Sequence, residues 1–268
     1  MLTDKDIFRN EQGDRRDALI TDLAAAIAFL TRLPVGRYFT FSAHDVARSE
    51  RWFPLVGALI GGINVAALLL CKHFFPSFVT ATIIMGVTVL LTGALHLDGV
   101  ADSADGFGGG WRREDVLRIM KDHAIGSYGG VALVLLIALK VTTMAALIDA
   151  HRAMTVLVLA PALGRWAAVM LSATQPHCVL NSGAPQPSEP IASFVGKTEL
   201  IIASISALVA GFVLERWHGL VACGLVLLCS VGWAWYCRRR IGGITGDALG
   251  ANIEMAECVV LLWFTALR

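Results

Sequence analysis

Charge is scarce in this sequence. Asp, Glu, Lys and Arg together make up 16% of the 268 residues, against 56% hydrophobic ones, whereas a soluble domain carries about a quarter charged residues. That shortage excludes an ordinary water-soluble domain of this size. An excess of either sign is also missing: 22 Lys and Arg stand against 21 Asp and Glu, which argues against nucleic acid or a strongly charged protein as partner. The six cysteines (Cys71, Cys178, Cys223, Cys229, Cys237, Cys258) form no CxxC pair and have no histidine at ligand spacing, so they read as apolar filler rather than a zinc or redox centre. Up to Arg16 there is no basic stretch followed by a short apolar core and a small-residue cleavage site, so this polar segment is expected to be retained. Nor is there an internal repeat of the kind that transporters built from related halves show.

What the chain has instead is a mean hydropathy of +0.66 and a series of apolar runs: Phe53 to Leu70, Phe78 to Leu97, Ser127 to Leu147, Ala153 to Ala173, Leu200 to Leu214, Leu220 to Tyr236 and Ala256 to Leu267. A helix needs about 20 residues to cross about 30 Å of hydrocarbon. Most runs approach that, and the last reaches it only by taking in part of the Gly242 to Met255 segment. The expected fold is therefore an all-α, polytopic transmembrane bundle of about seven spans, with six as the fallback. Ahead of it, Leu19, Ile20, Leu23, Ile27 and Leu30 recur at helical spacing and stop before Pro34, which predicts an amphipathic helix lying in the membrane interface.

Seven spans with the N-terminus inside place 16 of the 22 Lys and Arg on one side, among them Arg15, Arg16, Arg32, Arg48, Arg112, Arg113, Lys121 and Arg238 to Arg240; Lys72, Arg152, Arg216 and Arg268 fall outside, and Lys140 and Arg165 lie within spans. By the positive-inside rule that side is cytoplasmic, which predicts a multi-pass membrane protein with its N-terminus and acidic loop facing the cytoplasm. The chain reads as one integral domain: a cytoplasmic and interfacial segment over residues 1–51, an acidic loop over 98–124 and a Pro- and Ser-rich cytoplasmic loop over 174–198, a connector or a lid.

Chemistry concentrates in Gly93-Ala-Leu-His-Leu-Asp-Gly-Val-Ala-Asp-Ser-Ala-Asp-Gly-Phe-Gly-Gly-Gly110. Asp98, Asp102 and Asp105 stand at i, i+4 and i+7, one face of a helix, and three carboxylates so placed repel one another unless a cation compensates them. A hard, oxygen-liganded ion such as Mg²⁺ suits the set. The glycine run behind it, including Gly108 and Gly109, has the composition of an open phosphate cradle, and Arg112, Lys121 and Asp122 downstream are placed to hold substrate. His96, one turn before the acids, is the candidate proton acceptor. A second acidic set, Asp247, Glu254 and Glu257, opens the last span on the same side, where carboxylates at membrane depth call for pairing or a metal. Arg165, inside the fourth span, could partner one of them or a phosphate. Lys140, inside the third, has no partner that the sequence names.

These blocks carry a resemblance. Phe29-Leu-Thr-Arg-Leu-Pro34, Trp52-Phe-Pro-Leu-Val-Gly57, Leu95 to Gly106, Ile119-Met-Lys-Asp122, Ile125-Gly-Ser-Tyr-Gly129 and Gly246 to Ala251 make the chain similar to the cobalamin synthases, the adenosylcobinamide-GDP ribazoletransferase family of membrane enzymes. The resemblance implies a Mg²⁺-dependent transfer in which a ribose hydroxyl of α-ribazole, or of its 5′-phosphate, attacks the phosphoryl group attached to cobinamide and GMP leaves. It also implies that Asp98, Asp102 and Asp105 hold the metal, with Asp247, Glu254 or Glu257 completing the site. The partners are then a corrinoid nucleotide, α-ribazole and the bilayer, which the resemblance makes the inner membrane of a bacterium, with homo-oligomers left open. Two other readings of the residues are a CDP-alcohol phosphotransferase of lipid synthesis and a divalent-cation transporter. The former expects Ala-Arg after Asp-Gly, where this chain has Ala101-Asp102; the latter expects its acids near the bilayer midplane.

Overall fold

The computed structural model describes residues 18–122, 124–178 and 196–267. The stretches 1–17 and 179–195, which include the polar stretch up to Arg16 and most of the Pro-rich loop singled out above, lie outside the described residues. Ten helices follow one another: α1 (Ala18–Leu30), α2 (Ala43–Ser49), α3 (Phe53–Cys71), α4 (Ser77–Thr92), α5 (Leu95–Gly109), α6 (Arg113–Met120), α7 (Ser127–Asp149), α8 (Ala153–Thr174), α9 (Lys197–Ile241) and α10 (Gly246–Ala266). The pairing of His177 with Ile244 is an isolated bridge rather than a strand. Local chemistry fixes the helix starts. Ser42 and Asp45 close a reciprocal capping box on α2, a proline sits in the first turn of α3, and Thr245 Oγ1 accepts the Ala248 N–H at 3.1 Å on α10.

Among the described residues, five helices are long and apolar enough to cross a membrane, six if α4 and α5 count as one bent span. One of the five, α9, doubles back on itself. Arg216 inside it has φ 52° and ψ −131°, and the contacts on either side pair residues symmetrically about this point: Gly211 lies against Gly219, and Cys223 Sγ reaches the carbonyl of Ala207 at 3.8 Å. Constant sums of paired positions are the signature of two antiparallel legs, so α9 is a hairpin closed by one residue. Counting both legs gives seven crossings, with α10 drawing in Gly246 to Met255 as its length required. Leu90, Val134, Leu135, Val213 and Leu228 stand exposed on the outside, where the bilayer covers them.

The helices pack through small residues. Lipid tails are as apolar as leucine, so close backbone approach and polar links hold such bundles together. The central post is α8, with 83% of its apolar window buried, against 28% for α7. Gly57 and Gly61, four apart on α3, press onto its backbone at Pro161–Ala162 and Leu157–Val158, where any Cβ would collide. Asn252 of α10 ties three helices at once, donating to the Ala167 carbonyl at 3.1 Å and to Ser230 Oγ at 3.2 Å.

Two expectations need correction. The acidic helix does not continue the second span: Gly93 and Ala94 both take left-handed φ (68° and 61°), and α5 leaves α4 at 92°. It therefore runs across the bundle at the end where α3, α7 and α10 begin. The helix α1 also does more than float in the interface. Its alanine face (Ala24, Ala25, Ala26) is buried, and the fully buried Asp22 pairs with Arg48 and Arg51 next to α3, while Leu19 and Ile20 stay exposed.

Candidate active site

Where α5 crosses the start of α10, the two backbones almost touch. A Cβ on Gly99 would lie 2.6 Å from the Asp247 carbonyl oxygen, and one on Gly250 would lie 3.3 Å from Cα of His96. Glycine at both positions is what lets the two acidic segments meet. The crossing forms one wall of a cavity of about 330 Å³. Asp98, His96 and Asp247 line it, with Phe29, Leu30, Val46 and Phe53 opposite and Ser172, His177 and Glu50 supplying further polar groups. Asp98 and Asp247 are close enough for their charges to repel. Residues 149 positions apart in sequence are thus brought to one cavity wall by the helix crossing.

The other predicted site residues are placed differently. Asp105 is buried and turned away from the cavity: its carboxylate accepts the N–H groups of Gly126 at 2.7 Å and Gly129 at 2.9 Å, capping α7 at its positive end. Asp102, one turn before it, is half-buried. The glycine run is not an open cradle. Gly106 to Gly109 are helical, so their N–H groups serve the i to i−4 ladder. Their lack of side chains admits neighbours instead: Tyr128 against Gly108, Met120 against Gly106, and Val116 against Gly110. Gly109 has only Ile119 near it. Arg112, Lys121 and Asp122 are exposed at the same end of the bundle, outside the cavity lining.

Glu254 and Glu257 form a second, separate centre deeper in the bundle. Lys140 Nζ donates to Glu254 at 2.7 Å and to Glu257 at 2.6 Å, and Arg165 pairs with Glu257. All four side chains are at least 94% buried. Two cations against two carboxylates make the cluster neutral, which is the condition under which charges persist at such depth. The expectation that these glutamates face the same ion as the first acidic set is corrected by this pairing, and Lys140 acquires the partner that the sequence did not name. Arg165 reaches one step further, with Nη2 3.2 Å from His96 Nδ1. A guanidinium can only donate, so Nδ1 is the acceptor and the ring proton of neutral His96 sits on Nε2. The residue expected to take a proton is thereby set up to donate one hydrogen bond from the cavity wall.

Sequence reading missed Glu50, Ser172 and His177. The last is held by the bridge to Ile244: Ile244 N–H donates to Pro176 at 2.9 Å, and Cys178 N–H to Ile244 at 2.7 Å. Burial holds the His177 imidazole below the usual histidine range, so it is neutral at pH 7, and its Nε2 finds no partner. The signal for these residues was indirect. The blocks Phe29 to Pro34 and Trp52 to Gly57, noted for resemblance alone, supply the wall opposite the carboxylates.

Residues 22–265 match the family described as cobalamin-5-phosphate synthase. Proteins named adenosylcobinamide-GDP ribazoletransferase are 35% identical in Shewanella piezotolerans, across 88% of this chain and 92% of the relative, and 38% identical in Ralstonia nicotianae, across 88% and 91%. No solved structure matches the chain. With the family matched over nearly the whole bundle, including every described element that lines the cavity apart from the first residues of α1, the chain belongs to the cobalamin-5-phosphate synthase family.

Proposed function

We propose that this chain is an adenosylcobinamide-GDP ribazoletransferase, an integral membrane enzyme of cobalamin biosynthesis that works at the cytoplasmic face of a bacterial inner membrane. A ribose hydroxyl of α-ribazole, or of its 5′-phosphate, attacks the phosphorus that bears cobinamide. A new P–O bond forms, the P–O bond to GMP breaks, GMP departs with that electron pair, and the hydroxyl proton is given up. The observation that carries the reading is the meeting of Asp98 and Asp247 on one cavity wall, in a chain of this family.

The donor set suits Mg²⁺. That ion is usually held by one or two carboxylates, with substrate phosphates and water completing its octahedron. Asp98 and Asp247 would supply those carboxylates, with Asp102 one turn away. When bound, Mg²⁺ neutralises charge on the diphosphate and on the leaving GMP. His96 donates to a phosphate oxygen from Nε2, and Arg165 keeps it in that tautomer. His177, neutral and unpartnered, is the group suited to accept the hydroxyl proton. The phenylalanines and leucines around them exclude water, which would otherwise compete as the nucleophile.

Support against lipid synthesis comes from Ala101-Asp102 in place of the expected pair, and against transport from the pairing of the deep acids Glu254 and Glu257 with Lys140 and Arg165, which leaves Asp98 and Asp247 at one end of the bundle. The test is GMP release by the purified protein in liposomes, given adenosylcobinamide-GDP and α-ribazole phosphate, with Mg²⁺ or with EDTA. Release that requires both the acceptor and the metal is expected; release indifferent to EDTA defeats the metal assignment, and no release with any divalent metal defeats the reaction.

A further inference from the structure

Glu50 is the least explained polar group near the cavity. It sits in the short 3-10 turn Glu50–Trp52 between α2 and α3, lines the cavity and is 6% exposed. Its neighbours Arg48 and Arg51 are both committed to Asp22. Ser172 lies beside it and the charge of Glu199 is close, yet Oε2 has no hydrogen-bond partner. A buried oxygen left unsatisfied is costly, so its retention calls for a ligand. The surroundings narrow the choice. Leu30, Val46, Phe53 and Phe29 line the same space, and the two phenylalanine rings stack on each other at 5.9 Å. Flat apolar walls with one carboxylate suit a planar heterocycle that presents N–H donors along one edge.

We propose that Glu50 recognises the guanine of the nucleotide donor, accepting hydrogen bonds from its N1–H and exocyclic amino group. This rests on the reaction proposed above, which brings a guanosine nucleotide and an α-ribazole to the site. Guanine places two donors side by side on one edge, the pattern that a carboxylate accepts. Burial pushes the Glu50 carboxyl up to about 8, and two N–H donors side by side on guanine favour its ionised form, whereas the ring nitrogen of α-ribazole that is free of the sugar has no hydrogen to offer it. The guanine therefore takes the Glu50 side of the cavity and its phosphates the Asp98–Asp247 side.

The experiment measures binding of GMP, IMP and AMP to the full-length protein in nanodiscs with Mg²⁺, by calorimetry, for wild type, Glu50→Gln and Glu50→Ala. IMP lacks only the exocyclic amino group. Wild type is expected to prefer GMP over IMP by about tenfold, the worth of one charge-assisted hydrogen bond. Both variants should bind GMP and IMP alike, each more weakly than wild type does because N1–H also loses its acceptor, while AMP, which has no hydrogen on N1, is little affected. Near-isosteric Glu50→Gln decides the matter if Glu50→Ala fails to fold. A GMP preference that survives in Glu50→Gln, or its absence in wild type, overturns the assignment. Turnover assays on the same samples separate the two claims: GMP release without Glu50-dependent selectivity defeats the guanine subsite alone, whereas selective GMP binding without release defeats the reaction alone.

Discussion

Replacing Lys140 by methionine removes one of two cations from a neutral buried cluster. Glu254 and Glu257 then share Arg165 alone, and the Glu254 oxygen 2.7 Å from Nζ faces an apolar thioether. Breaking a buried pair by taking away one partner costs about 3–5 kcal/mol, because the orphaned charge stays in a low dielectric. The double variant Lys140→Met, Glu254→Gln removes one charge of each sign and leaves Arg165 paired with Glu257. It should recover at least half of that loss, giving a favourable coupling of about 2 kcal/mol in a double-mutant cycle. Reversible unfolding in mixed micelles, followed by tryptophan fluorescence, measures all four proteins. Strictly additive losses would refute the charge-balance argument. A Glu254→Gln variant that keeps wild-type stability while losing metal-dependent GMP release would return Glu254 to the metal site.

Two further outcomes test the placement of α5. Asp105→Asn keeps the shape but gives up the charge that caps Gly126 and Gly129; it should destabilise the fold by about 1–2 kcal/mol while Mg²⁺ affinity, read by calorimetry with GMP present, stays within about twofold. Gly99→Ala puts a methyl 2.6 Å from the Asp247 carbonyl, so the helices must part; GMP release should fall at least about tenfold, since a displacement of about 1 Å at a reacting centre can cost that and more, and an unaltered rate would show that the Asp98–Asp247 spacing does not matter.

The number of spans was legible because hydropathy reads length, and α9 illustrates both the strength and the limit of that. Its two legs appear in the sequence as Leu200 to Leu214 and Leu220 to Tyr236, but nothing in Glu215-Arg216-Trp217 announces a turn made by a single residue. The first acidic set was legible as a helix face. What the spacing could not convey is direction: Asp105 shares the face of Asp98 yet answers to the N-terminus of α7, a long-range partner invisible to local periodicity. Glu254 and Glu257 looked equivalent to Asp247 because all three open one helix, and only the positions of Lys140 and Arg165 separate them. Glycines misled in a systematic way. A run such as Gly106 to Gly110 reads as loop, but in a membrane bundle a missing side chain more often admits another helix, as Gly57 and Gly61 do against α8.

The neutral cluster also sets a problem of timing for the growing chain. Lys140 precedes Glu254 by 114 residues and Glu257 by 117, and Arg165 precedes Glu257 by 92. At about 5–20 residues per second, Lys140 waits roughly 6–23 s for the first carboxylate that will neutralise it. Throughout that interval α7 and α8 hold two cations at bilayer depth with no counter-charge, so they settle only when the final helix arrives. A chain cut short before α10 lacks Asp247, and it also keeps two uncompensated charges in the membrane, a mark by which quality control can tell it from the finished protein.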